Sequence, residues 1–109
     1  MAVVLSERVA FDAPTLVQDG AGGQVRDWTQ RHHCPAHLRY LRGSETVIAA
    51  RLAGRQPVVA TIRICTAARA IGTDWQMRDM RRDVTYGIKA IVPTDDRLYL
   101  ELTCETVPT

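Results

Sequence analysis

The chain has 109 residues and a mass of 12.1 kDa, the size of one domain with a single core. Hydrophobic residues make up 46% and charged residues 24%, which excludes a collagenous, low-complexity or mainly disordered chain. The formal net charge of +2 is too small to indicate nucleic-acid binding by itself. No apolar run approaches the roughly 20 residues that span a bilayer. We therefore expect a single domain over residues 1–109 with no membrane partner.

Cysteine usage and the first residues bear on the cellular compartment. The three cysteines, Cys34, Cys65 and Cys104, form no close pair, and an odd count does not describe a disulfide framework. Residues 1–5 are too short for the apolar core of a signal peptide and are followed at once by charge. These features predict reduced thiols and assembly in the cytoplasm.

Alternation of apolar and polar residues predicts most of the chain to be strand. In chain order, strands are expected at residues 8–13, 58–65, 84–92 and 98–105, and residues 25–41 are expected to hold two extended stretches bent at Cys34–Pro35. We expect Pro14 to end the first strand, because proline fits only at an edge or a bulge.

The last two strands have clear faces. We expect Tyr86, Ile88, Ala90 and Val92 on one face of the fourth segment, and Leu98, Leu100, Leu102 and Cys104 on one face of the fifth. The turn at residues 93–96 predicts a hairpin between them.

One segment has helical signals. Ser44 is a plausible N-cap, Glu45 suits the positive N-terminal end, and Gly54 suits the position after the C-cap. The pattern predicts a helix of about ten residues, which must pack on the sheet to be stable.

Two segments are predicted to be long, mobile loops: residues 15–24 and 67–83. The flexible tip of the first has the residues Asp19, Gly20, Gly22 and Gly23. The expected fold is mainly β: a small barrel or sandwich of about five to six strands with one short inserted helix.

Histidines and a cysteine form the best enzyme-like cluster, namely His32, His33, Cys34 and His37. His33 and His37 share a strand face, so a zinc enzyme is one hypothesis, although zinc needs four convergent ligands and this is the only cluster. A polar strand end explains the cluster more simply.

A second hypothesis is a small nucleic-acid-binding barrel of the OB type. Trp75 beside Arg78, Arg81 and Arg82 could stack a base and hold phosphate. Intervening carboxylates cancel this charge, at Asp74, Asp79 and Asp83. Solvated ion pairs or salt bridges between subunits are therefore the favoured interpretation.

A set of short motifs follows one order along nearly the whole chain. They are Arg8-Val9, the glycine turn at 20–23, residues 25–28 ending in Trp28, Ala36 to Glu45, Ile62-Arg63-Ile64, Met77-Arg78, Tyr86-Gly-Ile88, and Leu100 to Glu105. In this order and length the chain resembles the phage head–tail joining proteins, also called head closure or stopper proteins. Its arginine-rich composition suits the gene-transfer-agent branch of tailed particles.

The resemblance implies a non-enzymatic structural role without cofactor or metal. It implies a homo-oligomeric ring, 6- or 12-fold, between the portal or adaptor ring and the tail terminator or tail tube. Such a ring retains packaged DNA, which passes without sequence-specific binding, and docks the tail in the neck of the particle. Adaptors of similar size are mainly helical, which this chain is not.

The resemblance also implies that an inserted or long loop points toward the channel. The matching segments are residues 42–56 and 67–83. The candidate gate or ring-interface residues are Arg42, Glu45, Arg51, Arg55, Trp75, Met77, Arg78, Arg81 and Arg82.

Overall fold

Antiparallel strands close into a six-stranded barrel in the computed structural model, which describes residues 4–18, 20 and 22–107. The strands are β1 (Glu7–Gln18), β2 (Gln24–Tyr40), β3 (Pro57–Arg63), β4 (Gln76–Asp79), β5 (Val84–Pro93) and β6 (Tyr99–Thr106). They follow the order β1-β2-β3-β6-β5-β4 around the barrel. Two short helices, α1 (Glu45–Leu52) and α2 (Thr66–Arg69), complete the described part. The mainly β class is confirmed, as a barrel with two helices rather than one.

Alternate residues of the strands fill the barrel interior. In β3 the inward side chains are Val58, Ala60 and Ile62, all fully buried. In β6 the predicted face is confirmed for its strand residues, because Leu100, Leu102 and Cys104 are buried. Leu98 precedes the strand and is exposed, so its predicted place on that face is wrong.

A bulge at Lys89 changes the faces of β5. Tyr86 and Ile88 share the inward face, but the register with β6 shifts between Ile88 and Ala90. Ile91 therefore packs against the core and Val92 is exposed, so the prediction that Ala90 and Val92 share one face with Tyr86 and Ile88 is wrong. An extra residue in one strand moves every later side chain to the other face.

β1 continues past Pro14 to Gln18, contrary to the predicted end. β4 pairs with β1 only as far as Asp12, so Pro14 lies where β1 has a single partner strand, the kind of edge position at which proline is tolerated. Most of the predicted loop at residues 15–24 is therefore a β1–β2 hairpin. Residues 13–18 of β1 and 24–29 of β2 extend beyond the β4 pairing and are named the arm.

The turn of the arm contains the predicted glycine tip. Gly20 and Gly22 have φ angles of 81° and 89°, a region that favours glycine. Gly23 follows them, and Asp19 lies outside the described residues.

β2 is one strand through Pro35 rather than two bent at Cys34–Pro35. Pro35 pairs with Arg8, and pairing with β3 begins only at His37, so Pro35 also has one strand neighbour. The irregularity in β2 lies instead at Arg31, which is skipped between the pairs Phe11–His32 and Asp12–Gln30.

The predicted loop at residues 67–83 also contains regular structure. It holds most of α2 and all of β4, which pairs with both β1 and β5 and so closes the barrel. A four-residue strand rich in charge has too short a pattern to be recognised from alternation.

Helix α1 begins and ends as predicted. The Ser44 hydroxyl accepts a hydrogen bond from the Val47 amide at 3.1 Å, Ala53 is the C-cap, and Gly54 has a φ of 82°. Ala50 is buried and the helix contacts β3.

Candidate assembly surfaces

One end of the barrel collects most of the candidate residues. There β2 ends, β3 begins and β4 turns into β5, so the inserted segment 41–56 and the turn 80–83 lie together. We name this the helix end. It contains Arg42, Glu45, Arg51, Arg55, Arg81 and Arg82. Trp75 and α2 lie at the opposite end.

The base of the inserted segment is fixed by Gln56. Its side-chain amide donates to the carbonyl oxygens of Leu41 at 3.0 Å and Pro57 at 2.7 Å. Its backbone N–H donates to the Thr106 hydroxyl at 2.8 Å. These bonds join both ends of the insertion to β6, so α1 is held at a defined position on the barrel.

Exposed apolar side chains accompany the arginines at the helix end. Leu52 is 85% exposed and Ile48, one helical turn earlier, is 45% exposed. Tyr40 and Met80 belong to the same end and are also exposed. Aromatic side chains, Met and Arg are the types enriched in protein interfaces.

Arg82 is bound by two carboxylates of its own chain. Its guanidinium binds Glu7 at 2.9 Å and Asp79 at 2.9 Å, and these two hydrogen bonds raise its pKa. Asp79 is fully buried and also accepts from the Arg81 and Arg82 amides. Asp79 therefore caps the β4–β5 turn rather than forming a solvated ion pair.

Beside this network lies a buried tyrosine. Tyr86 is 2% exposed, and burial, followed by the neighbouring Tyr40 hydroxyl, raises its pKa. This pair of tyrosines lies where β5 begins and β2 ends.

Arg78 makes a bidentate pair with Asp12. Its Nε and Nη2 donate to the two Asp12 oxygens at 2.7 and 3.1 Å, and Nη2 also donates to Gln30 at 2.7 Å. Gln76 donates to Asp12 as well. Burial of Asp12 opposes ionisation, but the bonds from Arg78 and Gln76 outweigh it and lower its pKa. The group joins β1, β2 and β4 where the arm begins.

Two other candidate residues are buried or half-buried and so offer little surface to a partner. Met77 is fully buried in the barrel, and Trp75 is half-buried against the core. The structure brings Arg81 and Arg82 to the helix end, while Arg78 lies on the outer wall with Asp12. It does not bring Trp75 and the three arginines together as one stacking and phosphate site.

The histidine cluster divides between two faces. The His32 ring stacks on Phe11 with centroids 6.1 Å apart, and its Nε2 lies 3.8 Å from the Cys65 sulfur. Burial, then the neighbouring His33, lowers the pKa of His32. His33 and His37 are exposed. Within residues 4–18, 20 and 22–107, no three His, Cys, Asp or Glu side chains converge in a way that could hold a metal ion.

The thiols have structural surroundings. Burial raises the pKa of Cys34 to about 11 and that of Cys104 to about 12, so both are thiols at neutral pH. The Cys65 sulfur accepts from the Ala68 amide and caps α2. In the described part of the chain, no helix is long and apolar enough to cross a membrane.

Sequence reasoning missed Glu7, Asp12 and Gln56, which hold the site residues in place. Asp12 had one signal, a lone carboxylate in an apolar strand. Glu7 and Gln56 had none, because their partners lie up to 75 residues away.

The fold and these surfaces define a small β-barrel protein with paired arginines in its walls and an anchored helix at one end. The family model of the phage head completion protein matches residues 1–107. The chain belongs to this family. No curated protein matches it.

Two solved structures are similar to the chain. One is a chain of the virion of a native gene transfer agent particle, with a TM-score of 0.64, 21% identity, and coverage of 95% of this chain and 96% of that one. The other is a Shigella flexneri 2a protein solved in solution, with a TM-score of 0.68, 18% identity, and coverage of 92% and 90%. At these identities the likeness shows the fold.

Proposed function

We propose that the chain is a non-enzymatic connector subunit in the neck of a tailed phage or gene transfer agent particle. It forms a single domain over residues 1–109 and assembles, in the bacterial cytoplasm, into a ring of six or twelve copies. The ring lies between the portal or adaptor ring and the tail terminator or tail tube, retains the packaged DNA and docks the tail.

The family membership over residues 1–107 is the observation that supports this proposal most directly. The fold of a gene transfer agent virion chain adds to it, since the two chains cover each other almost completely. The helix end supplies what a docking subunit needs: exposed Ile48 and Leu52 beside arginines, on a segment fixed by Gln56.

The OB-type nucleic-acid-binding alternative has less support. Trp75 is half-buried, and Arg78 is engaged by Asp12 and Gln30. A strong salt-dependent DNA affinity of the isolated chain would favour that alternative.

Deletion of the gene in a particle-producing strain tests the proposal. We expect heads that package DNA but lose it and lack tails, as seen by electron microscopy and by nuclease sensitivity of the DNA. Expression from a plasmid should restore tailed, DNA-filled particles. Tailed, DNA-retaining particles in the deletion strain would contradict the proposal.

A further inference from the structure

One outer wall of the barrel, between the arm and the helix end, has arginines and histidines as its exposed charged residues. It is named the basic wall and consists of Arg8 of β1, Arg31, His33, His37 and Arg39 of β2, and Arg63 of β3. Four of the chain's 14 lysine and arginine residues lie here, so the rest of the chain has 10 basic and 12 acidic residues. The small net charge therefore hides an uneven distribution, with a basic wall on an otherwise slightly acidic molecule.

The cations of the basic wall are neighbours in the strand register. Arg8 of β1 pairs with Pro35 of β2. The register of β2 with β3, continued by two residues past His37, reaches Arg63 on the other side of Pro35. Arg8 and Arg63 therefore flank Pro35 in one row across three strands. Along β2, residues 31–39 cover roughly 25 Å, because a strand rises about 3.3 Å per residue. The wall is an elongated cationic surface.

The arginines of the basic wall are not neutralised by carboxylates of their own chain. Within the described residues, none of the four forms an ion pair. Arg8 Nη2 has His33 Nδ1 as its neighbour at 3.4 Å, and Arg63 lies over the Tyr99 ring at 5.8 Å from its centroid. The exposed carboxylate of Glu101 lies at the margin, on β6, diagonal to Arg63 in the register. The guanidinium groups of the wall can therefore bind an anion brought to it.

The composition of the basic wall favours a phosphate backbone over a protein as its partner. None of the exposed large apolar side chains of the described residues belongs to the wall. A protein interface has an apolar core, whereas contacts to a nucleic-acid backbone are hydrogen bonds and ion pairs with phosphate. Arginine forms bidentate hydrogen bonds with phosphate oxygens. A duplex carries one negative charge for about every 1.7 Å of its axis, so an elongated cationic surface suits it.

We propose that the basic wall binds the phosphate backbone of double-stranded DNA without reading its sequence. This inference rests on the proposed connector function, in which the chain meets packaged DNA, and it names the surface that meets the DNA. Four arginines on rigid strands bind a duplex by charge, so the contact made by one copy is weak and is weakened further by salt.

Titration of the isolated chain with a short DNA duplex of mixed sequence tests the inference. By NMR at low ionic strength, we expect amide shifts to concentrate on residues 8, 31–39 and 63, with a Kd on the order of 0.1 mM. The logarithm of the binding constant should fall with the logarithm of the salt concentration with a slope of about −3 to −4, because each phosphate contact releases about one counterion. A duplex of a different sequence should bind equally well.

Substitutions separate the basic wall from the charge of the whole chain. Arg8→Gln and Arg39→Gln should each weaken binding about threefold at low salt and make the salt slope shallower by about one. Lys89→Gln is the matched control, because it removes the same charge from an exposed position on β5, three steps from β2 in the barrel order. It should keep the Kd and the slope of the parent chain. Glu101→Gln should strengthen binding about twofold, because it removes the carboxylate at the margin. The amide spectra of all variants should stay dispersed.

Several results would overturn the inference. They are the absence of shifts at low salt, an equal loss of binding in Lys89→Gln and in the wall variants, and shifts centred on Trp75 and Arg78, which would assign binding to the OB-type site. Phosphatidylglycerol vesicles provide the other arm of the experiment. If vesicles shift the wall and the duplex does not, the wall binds lipid headgroups and the inference is wrong. These failures leave the connector role intact, because that role is tested by the deletion strain and not by the free chain.

Discussion

The arginines that join β1 to β4, Arg78 and Arg82, differ from the unpaired arginines of the helix end, although Arg82 lies at that end as well. At the β1–β4 seam, Arg78 and Arg82 bind buried carboxylates of their own chain. At the helix end, Arg42 and Arg51 form no ion pair with any described residue. One residue type therefore occurs in two settings: the first set is bound to carboxylates of its own chain, and the second has no ion pair with a described residue. Substitutions in the two sets should separate stability from assembly.

The largest expected effect is at Asp79. Asp79→Ala removes a fully buried carboxylate that accepts hydrogen bonds from Arg82 and from two turn amides, and the loss of these buried acceptor bonds costs about 2–3 kcal/mol. We expect urea unfolding to show this loss, and Asp95→Ala, in an exposed turn, to change stability by less than about 0.5 kcal/mol. Equal effects of the two variants would show that the seam is not a structural network.

Asp12→Asn should lower the free energy of unfolding by less, about 2 kcal/mol, because the amide keeps one acceptor for Arg78.

The lowered pKa of Asp12 also predicts how stability depends on pH. Its stabilisation is complete above the unfolded pKa near 3.8 and is lost as pH falls through the lower folded pKa. The variant should therefore lose less stability than the parent between pH 5 and pH 2, measured by chemical unfolding. An identical acid profile would contradict this.

The strand pattern was readable where a strand is long and alternating. β3, β6 and the caps of α1 followed from local residue types, whose preferences act over a few neighbours. β4 and the β5 bulge did not, because both depend on pairing with distant strands. Arg78 lies 66 residues from Asp12 in the sequence. The residues around Arg78 therefore contain no signal that distinguishes an arginine bound to a buried carboxylate from an arginine without an ion pair.

Gln56→Ala should have a smaller and local effect. It removes two side-chain hydrogen bonds at the base of the insertion, worth about 1–2 kcal/mol together. Relative to the parent chain, the variant should accelerate the hydrogen exchange of amides in residues 45–55 more than that of amides in β6. Uniform acceleration across the barrel would mean that Gln56 supports the whole fold instead.

The smallest effect on stability is expected for Arg51→Glu. Arg51 is exposed and has no described ion partner, so unfolding should shift by less than about 0.5 kcal/mol. In the complemented deletion strain, the same variant should reduce the yield of tailed particles. Arg69→Glu makes the same charge change at the other end of the barrel and should not. Equal yields of tailed particles for the two variants would show that the helix end is not part of the docking surface.

The position of the chain in the particle is the most direct measurement of the central claim. Cryo-electron microscopy of the neck of purified particles, at a resolution that traces strands, should show a ring of this six-stranded barrel between the head and the tail. A neck without this barrel, or the barrel found only elsewhere in the particle, would contradict the connector role.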